Sequence, residues 1–168
     1  MFKEFDITKE GFNPFEKIGN EWFLITAGDE NSFNAMTCSW GFMGVMWGKN
    51  VVMPVIRPQR YTKKFLDEKE FFTVSFYPKD CKSALAYCGS HSGYDVPDKM
   101  AQCGLTPTMI DGVPCFEEAD TVLVCRKLYC SQMPEADFID KSVAAENYPQ
   151  GDFHYQYIGE IVKAFKKS

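Results

Sequence analysis

Histidine is scarce in this sequence, and its scarcity narrows the chemistry that the chain can perform. The 168 residues include only two histidines, His91 and His154, so few side chains could act as acid–base catalysts near neutral pH. The glycine-rich motifs GxGxxG and GxxxxGKS/T are both missing, which excludes a Rossmann fingerprint and a P-loop.

The sequence also lacks a membrane-spanning run and an excess of positive charge. The longest uncharged run, residues 31–48, contains two Asn, two Ser, one Thr and three Gly, a composition unsuited to the bilayer interior. Eighteen Lys and Arg against 23 Asp and Glu give a net charge of −5, which disfavours non-specific binding to nucleic acid or anionic membranes. We expect one domain over residues 1–168, with neither nucleic acid nor membrane as a partner.

The seven cysteines are predicted to be reduced thiols. No pair has CxxC spacing, and the N-terminus has no basic patch followed by an apolar stretch, so we expect a cytoplasmic protein. A zinc site built from Cys81, Cys88, His91 and Cys103 would need two tight ligand pairs, and only Cys88 and His91 lie close in sequence. A Cys88/His91 nucleophile–base dyad is disfavoured because residues three apart on a loop rarely align. No metal site is predicted.

Apolar and β-branched segments predict a mainly β protein. Alternation and turn signals place strands at 21–27, 33–40, 44–47, 51–56, 71–77, 121–130 and 153–165. Helical spacing and capping signals place short helices at 61–69, 80–87, 96–102 and 135–145, with Asp80 as a cap. Pro54 indicates an edge strand or a bulge. Because strands and helices do not alternate regularly, we expect an antiparallel barrel with peripheral helices rather than a doubly wound sheet.

A cationic turn is the first candidate for a binding site. Two of the three arginines, Arg57 and Arg60, lie in Arg57-Pro-Gln-Arg-Tyr-Thr62 between a predicted strand and a predicted helix. Guanidinium groups at a helix start suit a phosphate, because each offers a bidentate fork beside free backbone N–H groups. The alternative is a solvated helix start in which these cations pair with nearby acidic residues, Asp67, Glu68 or Glu70.

The second candidate is the polar strand Asn34-Ala-Met-Thr-Cys-Ser-Trp-Gly41. Its alternate side chains could hydrogen-bond a phosphate or the polar edge of a ring, and its small residues would let the backbone approach a flat ligand. The alternative is an ordinary barrel strand whose Thr and Ser side chains face water.

These two segments, together with three others, resemble the flavin reductase-like family and, within it, the flavoredoxin-type FMN-binding proteins. The three further segments are Phe71-Phe-Thr-Val-Ser-Phe76, Ser92-Gly-Tyr-Asp-Val-Pro-Asp-Lys99 and His154-Tyr-Gln-Tyr-Ile-Gly-Glu-Ile161. The resemblance implies an FMN-binding split β-barrel, antiparallel and Greek-key-like, that forms a homodimer with FMN near the subunit interface.

The resemblance also implies a set of site residues, which fall into four groups. The residues along the flavin or its phosphate arm would be Asn34, Met36, Thr37, Cys38, Ser39 and Trp40. Those on the phosphate side would be Arg57, Arg60, Tyr61, Thr62 and Lys64. Ser90, Ser92 and Lys99 would belong to a loop and helix that close over the site. His154 is the one catalytic candidate, and its alternative is a partly buried histidine bonded to the backbone.

The predicted function is that of an FMN-dependent NAD(P)H oxidoreductase. Hydride would pass from NAD(P)H to the flavin, and electrons would then pass to an acceptor, with Thr37 or Ser39 stabilising the reduced ring electrostatically. The alternative is a non-enzymatic electron-transfer protein that carries the same FMN and serves a redox partner protein. A thiol or metal protein is a third, weaker alternative.

Overall fold

The computed structural model describes all residues, 1–168, as a mostly antiparallel β structure with short helices. The ten strands are β1 (Phe2–Phe5), β2 (Phe23–Gly28), β3 (Phe33–Cys38), β4 (Gly41–Met46), β5 (Lys49–Ile56), β6 (Phe71–Phe76), β7 (Pro107–Ile110), β8 (Val113–Phe116), β9 (Thr121–Gln132) and β10 (Tyr155–Lys167). The four α-helices are α1 (Thr62–Glu68), α2 (Lys82–Ser90), α3 (Lys99–Gln102) and α4 (Lys141–Asn147). A π-helical segment covers Phe15–Glu21, and 3₁₀ turns cover Ile7–Lys9, Lys79–Cys81 and Glu135–Asp137.

One large sheet carries the architecture. Its strand order is β3-β2-β6-β9-β10-β5-β4, and β7 pairs with β8 in a separate hairpin. β10 pairs with β9 along one edge, and along the other edge it pairs first with β5 and then with β1. β3 and β4, at the two ends of the order, are not hydrogen-bonded to each other. β3 therefore has one edge free of strand partners, and this edge becomes important for the site.

Two apolar clusters cover the two faces of the sheet. One contains Phe23 and Ile25 of β2 with the α1 side chains, and the other contains Leu24 of β2 with the α2 side chains and the β7–β8 hairpin. Successive side chains of a strand point to opposite faces, so β2 is buried on both. Gly159 of β10 is part of this packing, because a Cβ there would lie 2.5 Å from the Phe72 ring.

The seven predicted strands are all present in the predicted order, as β2 to β6, β9 and β10, but several details need correction. β5 is an internal strand and not an edge, although its pairing with β10 is interrupted opposite Met53 and Pro54. Asp80 does not cap a helix, since it lies inside the 3₁₀ turn before α2. The predicted helix at 135–145 is divided, because Asp140 accepts a hydrogen bond from the Ser142 N–H and starts α4 there.

Four further elements differ from the sequence prediction. α3 is shorter than the predicted 96–102 segment. β1, β7 and β8 were not predicted. None of the helices has the length and apolar character needed to cross a membrane.

Candidate functional site

Two adjoining cavities lie along the free edge of β3. The first, which we call the cationic cavity, has a volume of about 370 Å³ and is lined by the 57–62 turn, the end of α2, the 90–95 loop and Lys99. The second, the strand cavity, has a volume of about 180 Å³ and follows residues 36–40. Met36, Arg57 and Arg60 line both. The arrangement forms one groove with a wider, charged end and a smaller end beside β3.

Lys99 and Arg60 give the cationic cavity positive charge, although Asp95 and Asp152 also line it. Lys99 is only 1% exposed, and its Nζ donates to the carbonyls of His91 at 3.0 Å and Cys88 at 3.4 Å. Arg60 Nη1 donates to the Gly89 carbonyl at 2.8 Å. Neither forms an ion pair with a carboxylate within 4.0 Å. Burial, with a further contribution from Arg60, lowers the pKa of Lys99, so an anion placed here would be stabilised.

Arg57 has a different environment from Arg60, although the two lie in the same turn. Arg57 Nη1 binds Asp152 Oδ2 at 2.6 Å, Nη2 donates to the Asn147 carbonyl at 2.9 Å, and the guanidinium lies 5.0 Å from the Tyr148 ring centroid. Gln59 also donates to Asp152, at 2.7 Å. Hydrogen bonds from Gln59 and Arg57 lower the pKa of Asp152. Arg57 thus has an acidic partner within the chain, which Arg60 lacks.

Buried hydroxyl and amide groups line the β3 side of the cationic cavity. Asn34 Nδ2 donates to Thr62 Oγ1 at 2.8 Å, and both residues are buried. Thr62 accepts this bond, so its own hydroxyl proton is free to meet a ligand. The 91–95 loop packs closely on Asn34, because a Cβ on Gly93 would lie 2.1 Å from Asn34 Oδ1. Only glycine allows this approach.

The serines of the loop have unequal freedom. The Ser90 hydroxyl donates to the Ala86 carbonyl at 3.0 Å and is used within α2. Ser92 Oγ accepts from the Tyr94 N–H at 3.2 Å, and its proton has no acceptor in the chain. Ser92 is therefore the better placed of the two to donate to a ligand.

The strand cavity offers few side-chain donors. Thr37 donates its hydroxyl proton to the Leu85 carbonyl of α2. Cys38 is buried, and burial raises the pKa of its thiol to about 12. Ser39 forms no side-chain hydrogen bond within the chain, and Trp40 is 48% exposed at the mouth. Because β3 has no strand partner on this side, its backbone N–H and C=O groups complete the polar wall.

His154 closes the strand cavity at the start of β10. Its Nδ1 lies 2.7 Å from the Tyr148 hydroxyl, and its ring centroid lies 5.4 Å from that of Trp40. Burial, and then the nearby Arg57, lower the pKa of His154 to about 4. The imidazole is therefore neutral at pH 7, and its side chain bonds to a tyrosine rather than to the backbone.

The structure brings nearly all of the residues predicted from the sequence into this groove. Those that line it are Asn34, Met36, Thr37, Cys38, Ser39, Trp40, Arg57, Arg60, Tyr61, Thr62, Ser90, Ser92, Lys99 and His154. Lys64 is the exception, since it is exposed on α1 and lines neither cavity.

Several lining residues were missed by the sequence analysis. They are Val55, Gln59, Cys88, His91, Gly93, Asp95 and Asp152. Gln59 lies inside the predicted cationic turn and Gly93 inside a family-like segment, so the sequence could have identified both as lining residues. Nothing in the sequence identified Asp152, because its partner Arg57 is 95 residues away in sequence. No cluster of three or more His, Cys, Asp or Glu side chains is placed to hold a metal ion.

Comparison with known proteins places this groove in a family context. The sequence model of the family described as "Flavin reductase like domain" matches residues 15–166. Among solved structures, flavoredoxin from Methanosarcina acetivorans is 19% identical and superposes with a TM-score of 0.69, covering 88% of this chain and 69% of that chain. An FMN-binding protein from Thermus thermophilus with bound p-hydroxybenzaldehyde is 18% identical, with a TM-score of 0.70 and coverages of 99% and 82%.

A third solved structure extends the comparison to a reductase. The styrene monooxygenase flavin reductase from Pseudomonas putida is 16% identical, with a TM-score of 0.64 and coverages of 88% and 80%. No curated protein sequence matches significantly. These likenesses confirm the predicted fold, a mostly antiparallel split-barrel type with short helices.

Proposed function

The chain belongs to the family of flavin reductase-like domains, and we propose that it binds FMN in the groove and acts as an NAD(P)H-dependent oxidoreductase. The observation that carries the proposal is the positive charge of Arg60 and Lys99, which no carboxylate binds, at one end of a groove whose other end follows β3. A phosphate supplies the missing negative charge, and a ring fits beside the strand.

The cationic cavity suits the phosphate of FMN in charge and in donor chemistry. Lys99 and Arg60 give the two cations, and the free hydroxyl protons of Thr62 and Ser92 give two neutral donors. Hydrogen bonds to charged groups contribute roughly 1.5–3 kcal/mol each. We assign Arg57 a positioning role, because its ion pair with Asp152 holds the turn that presents Arg60.

The strand cavity suits a flat ring with a polar edge. The exposed edge of β3 presents alternating N–H and C=O groups, and the Ser39 hydroxyl is free to donate. Trp40 and the neutral His154 form an aromatic wall without a net charge. Thr37 is unsuitable as a donor to the ring, since its proton is bonded to Leu85.

Bound FMN would supply the redox chemistry, accepting a hydride equivalent from a reduced nicotinamide and releasing electrons to an acceptor. The residues of the chain hold and orient it. Backbone N–H groups of β3 and the Ser39 hydroxyl stabilise negative charge at the ring edge, because donors fixed in advance need no reorganisation. His154 is neutral at pH 7, so we assign it to the aromatic wall of the strand cavity and do not propose it as a general acid.

The binding half of the proposal is tested by comparing two flavins. Apoprotein is titrated with FMN and with riboflavin, which lacks the phosphate, and binding is followed by flavin fluorescence. We expect FMN to bind at least about 100-fold more tightly, as two charge-assisted hydrogen bonds require. Equal affinities would show that Arg60 and Lys99 bind no phosphate, and the site assignment would be wrong.

The enzymatic half is tested by mixing flavin-loaded protein with NADH or NADPH without any partner and following the visible absorbance of the flavin. Rapid bleaching supports the reductase. Reduction that requires a second redox protein would contradict the reductase and favour an electron carrier with the same bound FMN.

We also propose a homodimer whose second copy covers the surface around β4. β4 ends the sheet order and has a free edge, and its neighbourhood exposes Phe42 (67%), Val45 (75%) and Trp47 (58%) beside Trp40. An exposed apolar patch on a free strand edge is typical of an interface. Because Trp40 borders the strand cavity, the second copy would border the flavin. Sedimentation of the flavin-loaded protein tests this, and a monomer at micromolar concentration would refute it.

A matched pair of variants sharpens the dimer test. Val45→Lys places a charge in the middle of the patch and should give a monomer. Val162→Lys changes an exposed valine (41%) on β10, outside the patch, and should leave the oligomeric state unchanged.

A further inference from the structure

Two cysteine sulfurs lie in contact behind the wall of the cationic cavity. Cys88 Sγ is 3.5 Å from Cys103 Sγ and 3.7 Å from the Met100 sulfur. Cys88 is 1% exposed near the end of α2 and lines the cavity, whereas Cys103 follows α3 and is partly exposed. No other two cysteines in the chain bring their sulfurs within 4.0 Å of each other. The proposed function uses neither thiol.

We propose that Cys88 and Cys103 are a dithiol that low-molecular-weight disulfides convert to a disulfide, and that this bond weakens anion binding in the cationic cavity. The second half rests on the proposed function, because FMN is the anion considered. The first half concerns only the two thiols and is measured without flavin.

The chemistry balances as two successive thiol–disulfide exchanges. The Cys103 thiolate attacks a disulfide RSSR, which forms a Cys103–SR mixed disulfide and releases RS⁻. Cys88 then loses its proton and attacks Cys103 Sγ, which forms the Cys88–Cys103 bond and releases a second RS⁻. The two protein thiols are oxidised, one RSSR is reduced, and the two thiol protons go to solvent or to the released thiolates.

Exposure assigns the order of the two steps. Cys103 is reachable from solvent, and Cys88 is buried between α2 and α3. Burial raises the pKa of the Cys88 thiol, so it is a poor first nucleophile and becomes effective only when the partner sulfur is already in contact.

Lys99 couples the sulfur pair to the cavity. The Cys88 carbonyl accepts from Lys99 Nζ at 3.4 Å, and the Cys103 N–H donates to the Lys99 carbonyl at 3.2 Å. A disulfide requires a sulfur–sulfur distance of about 2.05 Å, so the sulfurs must approach by roughly 1.5 Å. Since both cysteines hold Lys99, this movement displaces the ammonium from its position in the dithiol form.

The bond itself is tested on flavin-free protein. The protein is incubated with oxidised glutathione, free thiols are alkylated, and the products are mapped by mass spectrometry. We expect a Cys88–Cys103 crosslink that dithiothreitol reverses. Cys130 is exposed and has no thiol neighbour, so it should give only a glutathione adduct. Recovery of Cys103 unmodified, or as a stable glutathione adduct in the wild type, would overturn the proposal.

Two variants test the order of the steps. Cys88→Ser should accumulate the mixed disulfide at Cys103, because the resolving thiol is gone. Cys103→Ser should leave Cys88 unreacted, because the remaining thiol is buried. Should Cys88→Ser fail to fold, Cys103→Ser still decides the point, since oxidation of Cys88 in that variant would contradict the assigned order.

The coupling is tested by the affinity for FMN before and after oxidation. We expect at least a fivefold loss in the oxidised form, a smaller loss for riboflavin, and no loss in Cys103→Ser treated in the same way. By linkage, FMN should shift the equilibrium in a glutathione redox buffer toward the dithiol by the same factor. An unchanged affinity in the oxidised protein would refute the coupling, whereas a protein that forms the crosslink and binds no FMN in either state would refute the proposed function alone.

Discussion

Two regions of the molecule each bring two cations together, and they differ in whether a carboxylate binds those cations. On the outer face of the sheet, Lys49 and Arg126 both bind Glu160, each at 2.7 Å. In the cationic cavity, Arg60 and Lys99 bind only carbonyl oxygens. Each cation of the first pair has a carboxylate partner, the shared Glu160, and the pair has a structural role. The second pair leaves a positive charge in a buried place, which indicates a ligand with negative charge.

The largest effect is expected when Lys99, the buried cation of the cationic cavity, is replaced by an uncharged residue. Lys99→Met should weaken FMN binding by about 100-fold or more, because a buried charge that pairs with the phosphate is lost. The same variant should keep or increase the stability of the apoprotein, since an ammonium without a counterion is costly to bury. FMN titration and urea unfolding measure the two effects.

Lys49→Met is the matched control for that experiment. It removes one of the two cations that Glu160 binds, outside the cationic cavity, so its FMN affinity should equal that of the wild type. A similar loss of affinity in both variants would mean that overall charge, and not the cavity, controls binding.

The second test separates the two arginines of the turn. Arg60→Ala should weaken FMN binding by about 10- to 100-fold. Arg57→Ala should have a smaller effect on affinity and should reduce stability instead, because Asp152 loses its partner. Riboflavin should bind Arg60→Ala as it binds the wild type. If Arg57→Ala proves the more damaging to FMN affinity, the positioning role given to Arg57 is wrong.

The third test uses pH, because burial, and then the nearby Arg57, lower the pKa of His154. The pKa of this histidine is about 4 in the folded protein, against 6.5 for an exposed imidazole. Between these values the unfolded chain binds a proton that the folded chain does not, so stability falls as the pH falls through this window. We expect wild type to lose up to about 2 kcal/mol more than His154→Gln between pH 7 and pH 5. Urea midpoints that fall by the same amount in wild type and His154→Gln between pH 7 and pH 5 would contradict this.

The smallest effect is expected at Glu160, which binds Lys49 and Arg126. Glu160→Gln leaves Lys49 and Arg126 without their carboxylate, but both are partly exposed. Exposed ion pairs contribute little to stability, so the urea midpoint should fall only slightly, with FMN affinity unchanged. Added salt should reduce the difference.

Much of the fold, and the meeting of the polar strand with the cationic turn, could be predicted from local sequence features together with the family resemblance. Alternation in 71–77 and 121–130 and the apolar run at 21–27 follow directly from burial, and the structure has strands at each. The polar strand and the cationic turn also meet in the groove, as the family resemblance implied.

What could not be predicted depends on partners distant in sequence. Arg57 and Arg60 look equivalent in the turn, and only the approach of Asp152 distinguishes them. The Thr37 hydroxyl seemed available to a ring, but α2 packs over it and accepts its proton. The burial of Lys99 depends on how the end of α2 meets α3. Local periodicity carries no information about such contacts.

The position of β10 has a consequence for the order in which the protein folds. β10 joins β9 to β5, so without it the β4–β5 hairpin has no strand link to the rest of the large sheet. The pairing of Phe2 with Lys167 is equally non-local. Such long-range pairings form slowly, because the chain must close large loops before the contacts can stabilise it. Met36 lies in β3 in one part of the sheet, and Arg57 follows β5 in the other, so the groove is assembled only when β10 docks. A flavin would therefore select the completed sheet and could not assist its earlier folding steps.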